Sequence, residues 1–240
     1  HASLCPRRAW GLFKFDRVWA MPIMKIDFIQ IGSNIGNTES DIIWKIIRRN
    51  NWKGIFVEPI RESFELLKKN YSDWDGNYFE NVAVMDYNGE INIYTRSDGI
   101  YNRQQASIKK DHWQGKNDLS VRVQCLKLNS LIEKYKLSDI PFELLQIDAE
   151  GSDYSIIMGT DFSHIIPEFI RFESCHMTKR ELSAALRHLK NFGYIKIKDQ
   201  YEHLCIEGEK GIDVMVKKSY VQKYGYGSIV ADWIRTRILK

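Results

Sequence analysis

Between Ile26 and Ile31 the alternation of Ile26, Phe28 and Gln30 with Asp27, Ile29 and Ile31 is imperfect, with apolar side chains on both faces, which predicts a strand buried on both faces, as in a parallel sheet. The run stops at Gly32-Ser33-Asn34-Ile35-Gly36. Thr38-Glu39-Ser40-Asp41 then reads as a helix start, followed by Ile42, Ile43, Ile46 and Ile47 at helical spacing. The rhythm recurs along the chain. Residues 52–59 predict a short strand and 60–70 an amphipathic helix; 119–136 predict a strand and then a helix. Residues 142–159 repeat the opening theme of buried strand, acidic glycine turn and helix. A strand at 168–176, a helix at 179–193 closed by Gly193, and strands at 194–199 and 211–217 complete the pattern. Residues 78–95 hold two β-rich runs around Tyr87-Asn88-Gly89-Glu90, and Asn-Gly between alternating apolar residues predicts a hairpin. The polar stretch 96–118 predicts a long loop of the kind that forms lids or binding loops.

Strands and helices that alternate in this way predict an α/β protein. The expected architecture is a Rossmann-like doubly wound sheet of about seven strands, mostly parallel with an antiparallel C-terminal strand, and helices on both faces. Three parts are expected: residues 1–24 as an N-terminal arm or a non-native leader, 25–216 as the α/β domain, and 217–240 as a basic, aromatic tail.

Composition narrows the classes. A chain of 240 residues with 44% hydrophobic content can bury a real core, which excludes a disordered protein. No stretch reaches the roughly 18 to 20 apolar residues of a membrane span. Residues 1–24 are interrupted by Arg7, Arg8, Lys14, Asp16 and Arg17, unlike a secretory signal, so a cytoplasmic location without membrane attachment is expected. Cys5, Cys125, Cys175 and Cys205 form no C-x-x-C pair; buried free thiols are expected, and no metal-ligand spacing is legible.

The net charge of +4 is concentrated at the two ends of the chain. In the tail, Tyr220, Tyr224, Tyr226 and Trp233 interleave with basic residues, a composition that suits acidic glycans or single-stranded nucleic acid. The more economical reading is a hinge at 225–227 and an amphipathic helix whose Ile229, Trp233 and Ile234 pack on this domain or on a twin, giving a homodimer.

Candidate chemistry falls at three strand ends, where open α/β sheets bind ligands. At Gly32 to Gly36 the backbone can approach a ligand closely, and N–H groups at a helix start suit a carboxylate. Glu58, 22 residues after Gly36, stands where an acidic side chain accepts hydrogen bonds from ribose hydroxyls. Asp148-Ala149-Glu150-Gly151 forms the third lip. A glycine loop with a ribose acid fits NAD or S-adenosylmethionine. The G-x-x-x-G spacing has Asn34 where G-x-G-x-x-G needs its second glycine, and Asn37 where it needs its third, which disfavours a pyrophosphate.

Taken together, "IQIGSNIGNTE", "GIFVEP", "NVAVMDYNGEINIYT", "CLKLNSLI", "LLQIDAEGSDYSIIMG" and "PEFIRFE" resemble the FkbM-type family of S-adenosylmethionine-dependent methyltransferases. The resemblance spans roughly residues 25 to 206, and its most specific part is the D-x-E-G turn between strand and helix. It implies that Gly32, Ser33, Asn34, Gly36 and Asn37 line the methionine end of S-adenosylmethionine, that Glu58 holds the ribose, that Asn81 to Ala83 lie by the adenine, and that Asp148 faces the methyl region. The family commonly has Lys two residues before the Asp and Glu after the glycine turn. This chain has Gln146 and Asp153 there, which leaves the charge preference for substrate open.

For a hydroxyl acceptor, a base within hydrogen-bond reach assists methyl transfer. Asp148, Glu150, Glu173 and His176 are the candidates because all lie at or just past strand ends, with Asp148 ranked first. The resemblance implies O-methylation of a sugar or other small molecule. An RNA or protein acceptor and a noncatalytic nucleotide-binding protein on the same fold are the alternatives.

Overall fold

The computed structural model describes residues 25–37, 41–97, 106–110, 118–197 and 211–225. In chain order the strands are β1 Phe28–Ile31, β2 Gly54–Val57, β3 Tyr78–Glu80, β4 Ala83–Met85, β5 Gly89–Thr95, β6 Leu119–Lys127, β7 Phe142–Ile147, β8 Pro167–Glu173, β9 Tyr194–Lys196 and β10 Ile212–Lys217. The helices are α1 Ile42–Asn50, α2 Arg61–Asn70, α3 Leu128–Lys134, α4 Asp153–Gly159, α5 Lys179–Asn191 and α6 Lys218–Tyr224.

Seven strands form the main sheet in the order β3-β2-β1-β7-β8-β10-β9. It is parallel from β3 to β8, and β10 runs antiparallel to both of its neighbours. Each central strand feeds two apolar layers, because successive side chains point to opposite faces. Ile29, Ile31, Leu145, Ile147, Ile170 and Phe172 pack with Leu131, Ile156 and Leu189 of α3, α4 and α5. Phe28, Phe56, Leu144 and Phe169 pack on the other side with Ile43, Ile46 and Ile47 of α1 and Leu67 of α2. Burial on both faces is why these strands read as continuous apolar runs.

The chain leaves β1 towards β2 and β3 and later returns to β7 on the opposite side of β1. Strand order therefore reverses between β1 and β7, and a crevice opens at their carboxyl ends. Helix ends are fixed locally. Asp41 caps α1 by accepting from the Ile43 amide at 2.9 Å. Thr178 and Glu181 form a reciprocal capping box at the start of α5, and Gly193, at φ 86°, closes its far end.

The hairpin expected within 78–95 does not form. A second, three-stranded sheet has the order β4-β6-β5, so β6 lies between the two runs, parallel to β4 and antiparallel to β5. Asn88 explains the departure. Its Oδ1 accepts from the Lys127 amide at 2.7 Å and its Nδ2 donates to Ser130 Oγ at 3.0 Å, so the Asn-Gly segment crosses the end of β6 rather than folding back on itself. With this sheet included, the described residues hold ten strands.

Of the long loop, residues 96–97, 106–110 and 118 are described; Ser107 bridges to Tyr94 of β5. In the tail, the Tyr220 ring packs edge-on against Phe169 at 5.0 Å. The expected hinge helix with Ile229, Trp233 and Ile234, the arm at 1–24, and Cys5 and Cys205 lie outside the described residues. Among the described residues no helix is long and apolar enough to cross a membrane.

Candidate functional site

A cleft with room for about 270 Å³ lies over the carboxyl ends of β1, β2, β7 and β8. Gly32 sets its depth. At φ 77° it brings the loop after β1 so near the turn after β7 that a Cβ would lie 1.8 Å from the Asp148 carbonyl oxygen. A Cβ on Gly36 would meet the Tyr71 ring at 2.5 Å and Leu67 Cδ1 at 2.7 Å, so the second glycine answers to α2 packing. Ser33 is 2% exposed. Its hydroxyl donates to the Gln30 carbonyl at 2.9 Å and accepts from the Val57 amide at 3.1 Å, stitching β1 to β2. Gly32, Ser33, Asn34 and Gly36 line the cleft; Asn37 is exposed and stands outside the lining.

Glu58, 6% exposed, lies at the end of β2 on the cleft wall. Its Oε2 accepts from the Asn34 amide at 2.8 Å and its Oε1 from the Ile60 amide at 2.9 Å. Burial pushes its carboxyl up to about 7, against the pull of these two amides. Asn81 is a brace for the strand end: its Nδ2 donates to the carbonyls of Glu58 and Pro59 at 2.9 and 3.0 Å. Ala83 lines the cleft with Val82, Val84, Met85 and Ile93 as an apolar wall next to Glu58.

The floor carries a polar row that strand register creates. Gln30 of β1 pairs with Gln146 of β7, which pairs with Arg171 of β8. All three are buried and line the cleft. Arg171 Nη1 donates to Gln146 Oε1 at 2.9 Å, and Gln30 Nε2 donates to Asp41 Oδ2 at 3.3 Å. Burial raises the Asp41 carboxyl, while Gln30, the Ile43 amide and the Arg171 charge oppose that rise.

The D-A-E-G turn is held by a residue four positions beyond its alanine. Asp153, 2% exposed, accepts from the Ala149 amide at 3.2 Å through Oδ2 and from the Glu173 amide at 3.0 Å through Oδ1. It thereby ties the turn after β7 to the end of β8. Burial first, and then the charges of Asp148 and Glu173, push its carboxyl up to about 8. Glu150 takes a left-handed backbone, φ 47°, with Gly151 at φ 95°; Ser107 Oγ donates to the Glu150 carbonyl at 2.7 Å.

Asp148 and Glu150 line the cleft, whereas Glu173 and His176 lie behind Glu150. His176 Nε2 is 3.5 Å from Glu150 Oε2 and 3.5 Å from Glu173 Oε2. Cys175 Sγ donates to Glu173 Oε1 at 2.9 Å. Cys125 is buried, as expected of a free thiol, but Cys175 is exposed because it follows the strand end. Partial burial and Glu173 push the Cys175 thiol up to about 12.

Three features escaped the sequence reading. Arg171, Gln30 and Asp41 become site residues only through register and packing. Asp153 figured there as a family departure and serves as the clamp of the turn. The third feature is the gathering of Glu173, Cys175 and His176 into one group whose ligand atoms lie within 4.8 Å of one another; in the sequence Glu173 and His176 stand as candidate bases and Cys175 as a buried thiol, each by itself.

Comparison with known proteins gives a family match. The model of the methyltransferase FkbM domain matches residues 30–196. No curated protein sequence matches the chain significantly. Among solved structures, the chain is similar to a methyltransferase FkbM from Methylobacillus flagellatus KT at 11% identity and a TM-score of 0.46, covering 84% of this chain and 46% of that one.

Proposed function

Because the chain belongs to the methyltransferase FkbM domain family, we propose that it is an S-adenosylmethionine-dependent enzyme that methylates a hydroxyl of a sugar or other small molecule. The observation that carries this reading is that one cleft is lined together by the Gly32–Asn34 loop, Asp148, Glu58 and the apolar wall at Val82–Met85. Those surfaces suit the amino-acid end, the sulfonium, the ribose and the adenine of the cofactor. Glu58 fits the ribose role because each of its oxygens accepts one amide hydrogen bond and keeps a second acceptor position.

The cofactor supplies an electrophilic methyl group. The chain's residues supply placement and proton handling, and alignment at near-attack distance accounts for much of the rate such a site can give. Asp148, on the cleft wall between loop and turn, is the group assigned to take the acceptor's hydroxyl proton. The charge of Arg171 at the floor steadies the buried Asp41 carboxylate at the methionine end.

Calorimetry with S-adenosylmethionine, its demethylated product and NAD tests the reading. The first two are expected to bind and NAD is not. Tight NAD binding with no response to S-adenosylmethionine overturns it.

A further inference from the structure

We propose that Glu150, Glu173, Cys175 and His176 form a binding site for one divalent transition cation of the zinc class, placed behind the cleft at the junction of the D-A-E-G turn and the end of β8. The proposal concerns a metal site and stands independently of the methyltransferase reading.

Spacing is the first argument. Metal–ligand distances of about 2.0–2.2 Å in a tetrahedron place N and O ligands about 3.3–3.6 Å apart. His176 Nε2 is 3.5 Å from Glu150 Oε2 and 3.5 Å from Glu173 Oε2. The ligand atoms of Glu173, Cys175 and His176 also lie within 4.8 Å of one another. Three donors therefore already gather around one point, and Glu150, 3.5 Å from His176 Nε2, is the fourth that a rotamer change would bring in.

Donor chemistry selects the ion. An imidazole, a thiol and two carboxylates mix borderline, soft and hard ligands, a set that suits zinc and its neighbours and not magnesium or calcium, which take oxygen alone. Four protein ligands describe a closed site of the structural kind.

The third argument is preorganisation. Asp153 fixes the Glu173 amide, Ser107 fixes the Glu150 carbonyl, and Ser174 binds the Gly211 carbonyl through its hydroxyl at 2.6 Å. Glu150 holds a left-handed backbone that few residues other than glycine adopt. Its carboxylate, at the cleft edge, reaches His176 Nε2 at 3.5 Å. Glu173 Oε2 is buried and accepts no hydrogen bond among the described residues, whereas its Oε1 takes the Cys175 thiol. On binding, the Cys175 S–H bond breaks, the proton passes to solvent, and sulfur bonds to the metal as thiolate. The freed carboxylate of Glu173 then serves the same ion. A cation there also offsets the charge of two adjacent carboxylates.

The test is cobalt(II) and zinc titration of the chelator-treated full chain, followed by metal analysis and absorption spectroscopy. One equivalent is expected, and cobalt is expected to give tetrahedral d–d bands with a thiolate charge-transfer band. Cys175→Ser is expected to abolish that band, and His176→Ala and His176→Gln to weaken binding at least tenfold. His164→Ala, which alters a histidine paired with Asp139 on the loops that precede β7 and β8, is expected to bind as the parent does. Circular dichroism and binding of S-adenosylmethionine report folding of each variant. Absence of tight binding by the folded parent, or stoichiometry and spectra unchanged in Cys175→Ser and His176→Ala, overturns the proposal and leaves the cofactor reading intact. Metal held without any cofactor binding supports the proposal and counts against that reading.

Discussion

The carbonyl oxygen of Asp148 occupies space that a side chain on Gly32 would need, 1.8 Å from the position of its Cβ. The glycine at the end of β1 is therefore required by the neighbouring turn before any ligand is considered. Two costs add in Gly32→Ala: a left-handed backbone at about 1–2 kcal/mol and overpacking at about 1–3 kcal/mol. A loss of about 2–5 kcal/mol of folding stability is expected from urea denaturation. A variant as stable as the parent contradicts the close approach.

What the sequence made legible follows from where each element gets its partners. β1, β2, β7 and β8 were readable because strands buried on both faces must be apolar throughout. The three strand ends carrying Gly32, Glu58 and Asp148 followed from that, since the turn chemistry is local. The hairpin at Asn88-Gly89 failed because pairing of β4 and β5 was decided by β6, more than twenty residues away. The row Gln30, Gln146 and Arg171 depends on the register of three strands distant in the chain, and no single window contains it. The family resemblance implies Ser33 and Asn81 as cofactor contacts; the structure gives their side chains hydrogen bonds to strand-end backbone.

Glu58 predicts a pH dependence with a definite sign. Its folded pKa, about 7, is raised above the ordinary 4.5. Its contribution to stability is therefore present below about 4.5 and is lost as pH climbs through 7. Ribose hydroxyls donate best to the ionised carboxylate, so cofactor affinity should rise over the same window, by up to about tenfold per pH unit below 7. Glu58→Gln should flatten both trends. Glu58→Ala should weaken cofactor binding by about 1.5–3 kcal/mol. Binding calorimetry at pH 6, 7 and 8 checks the affinity trend and both variants, urea denaturation at pH 5 to 8 checks the stability trend, and a pH-independent dissociation constant in the parent removes Glu58 from the ribose role.

Asp153→Asn tests the clamp between the turn and β8. An amide in place of the carboxylate turns a donor towards one of the two backbone N–H groups, Ala149 or Glu173, that Asp153 now satisfies. The lost hydrogen bond should cost about 1–3 kcal/mol in denaturant unfolding, and hydrogen exchange should quicken at the affected amide. Unchanged exchange at both amides would show that the clamp is dispensable.

Asp148 separates chemistry from binding. It lines the cleft at the turn whose backbone abuts Gly32, and its own amide donates to the Ile31 carbonyl at 3.0 Å, so a change confined to the side chain leaves the turn's backbone tie in place. Asp148→Asn preserves size and removes the charge that takes a proton. Turnover of a hydroxyl acceptor should fall by about 10²–10⁴, the scale of losing a general base, while cofactor affinity changes modestly. Glu150→Gln should act less strongly on the rate, because the Glu150 carboxylate is directed at His176 rather than at the cleft alone. Single-turnover methyl transfer at saturating labelled cofactor reads the chemical step directly, with circular dichroism as the check on folding. If Asp148→Asn transfers methyl at the parent rate, the proton goes elsewhere. Glu150 is then the next group to substitute, since it is the other ionisable residue of the turn on the cleft wall.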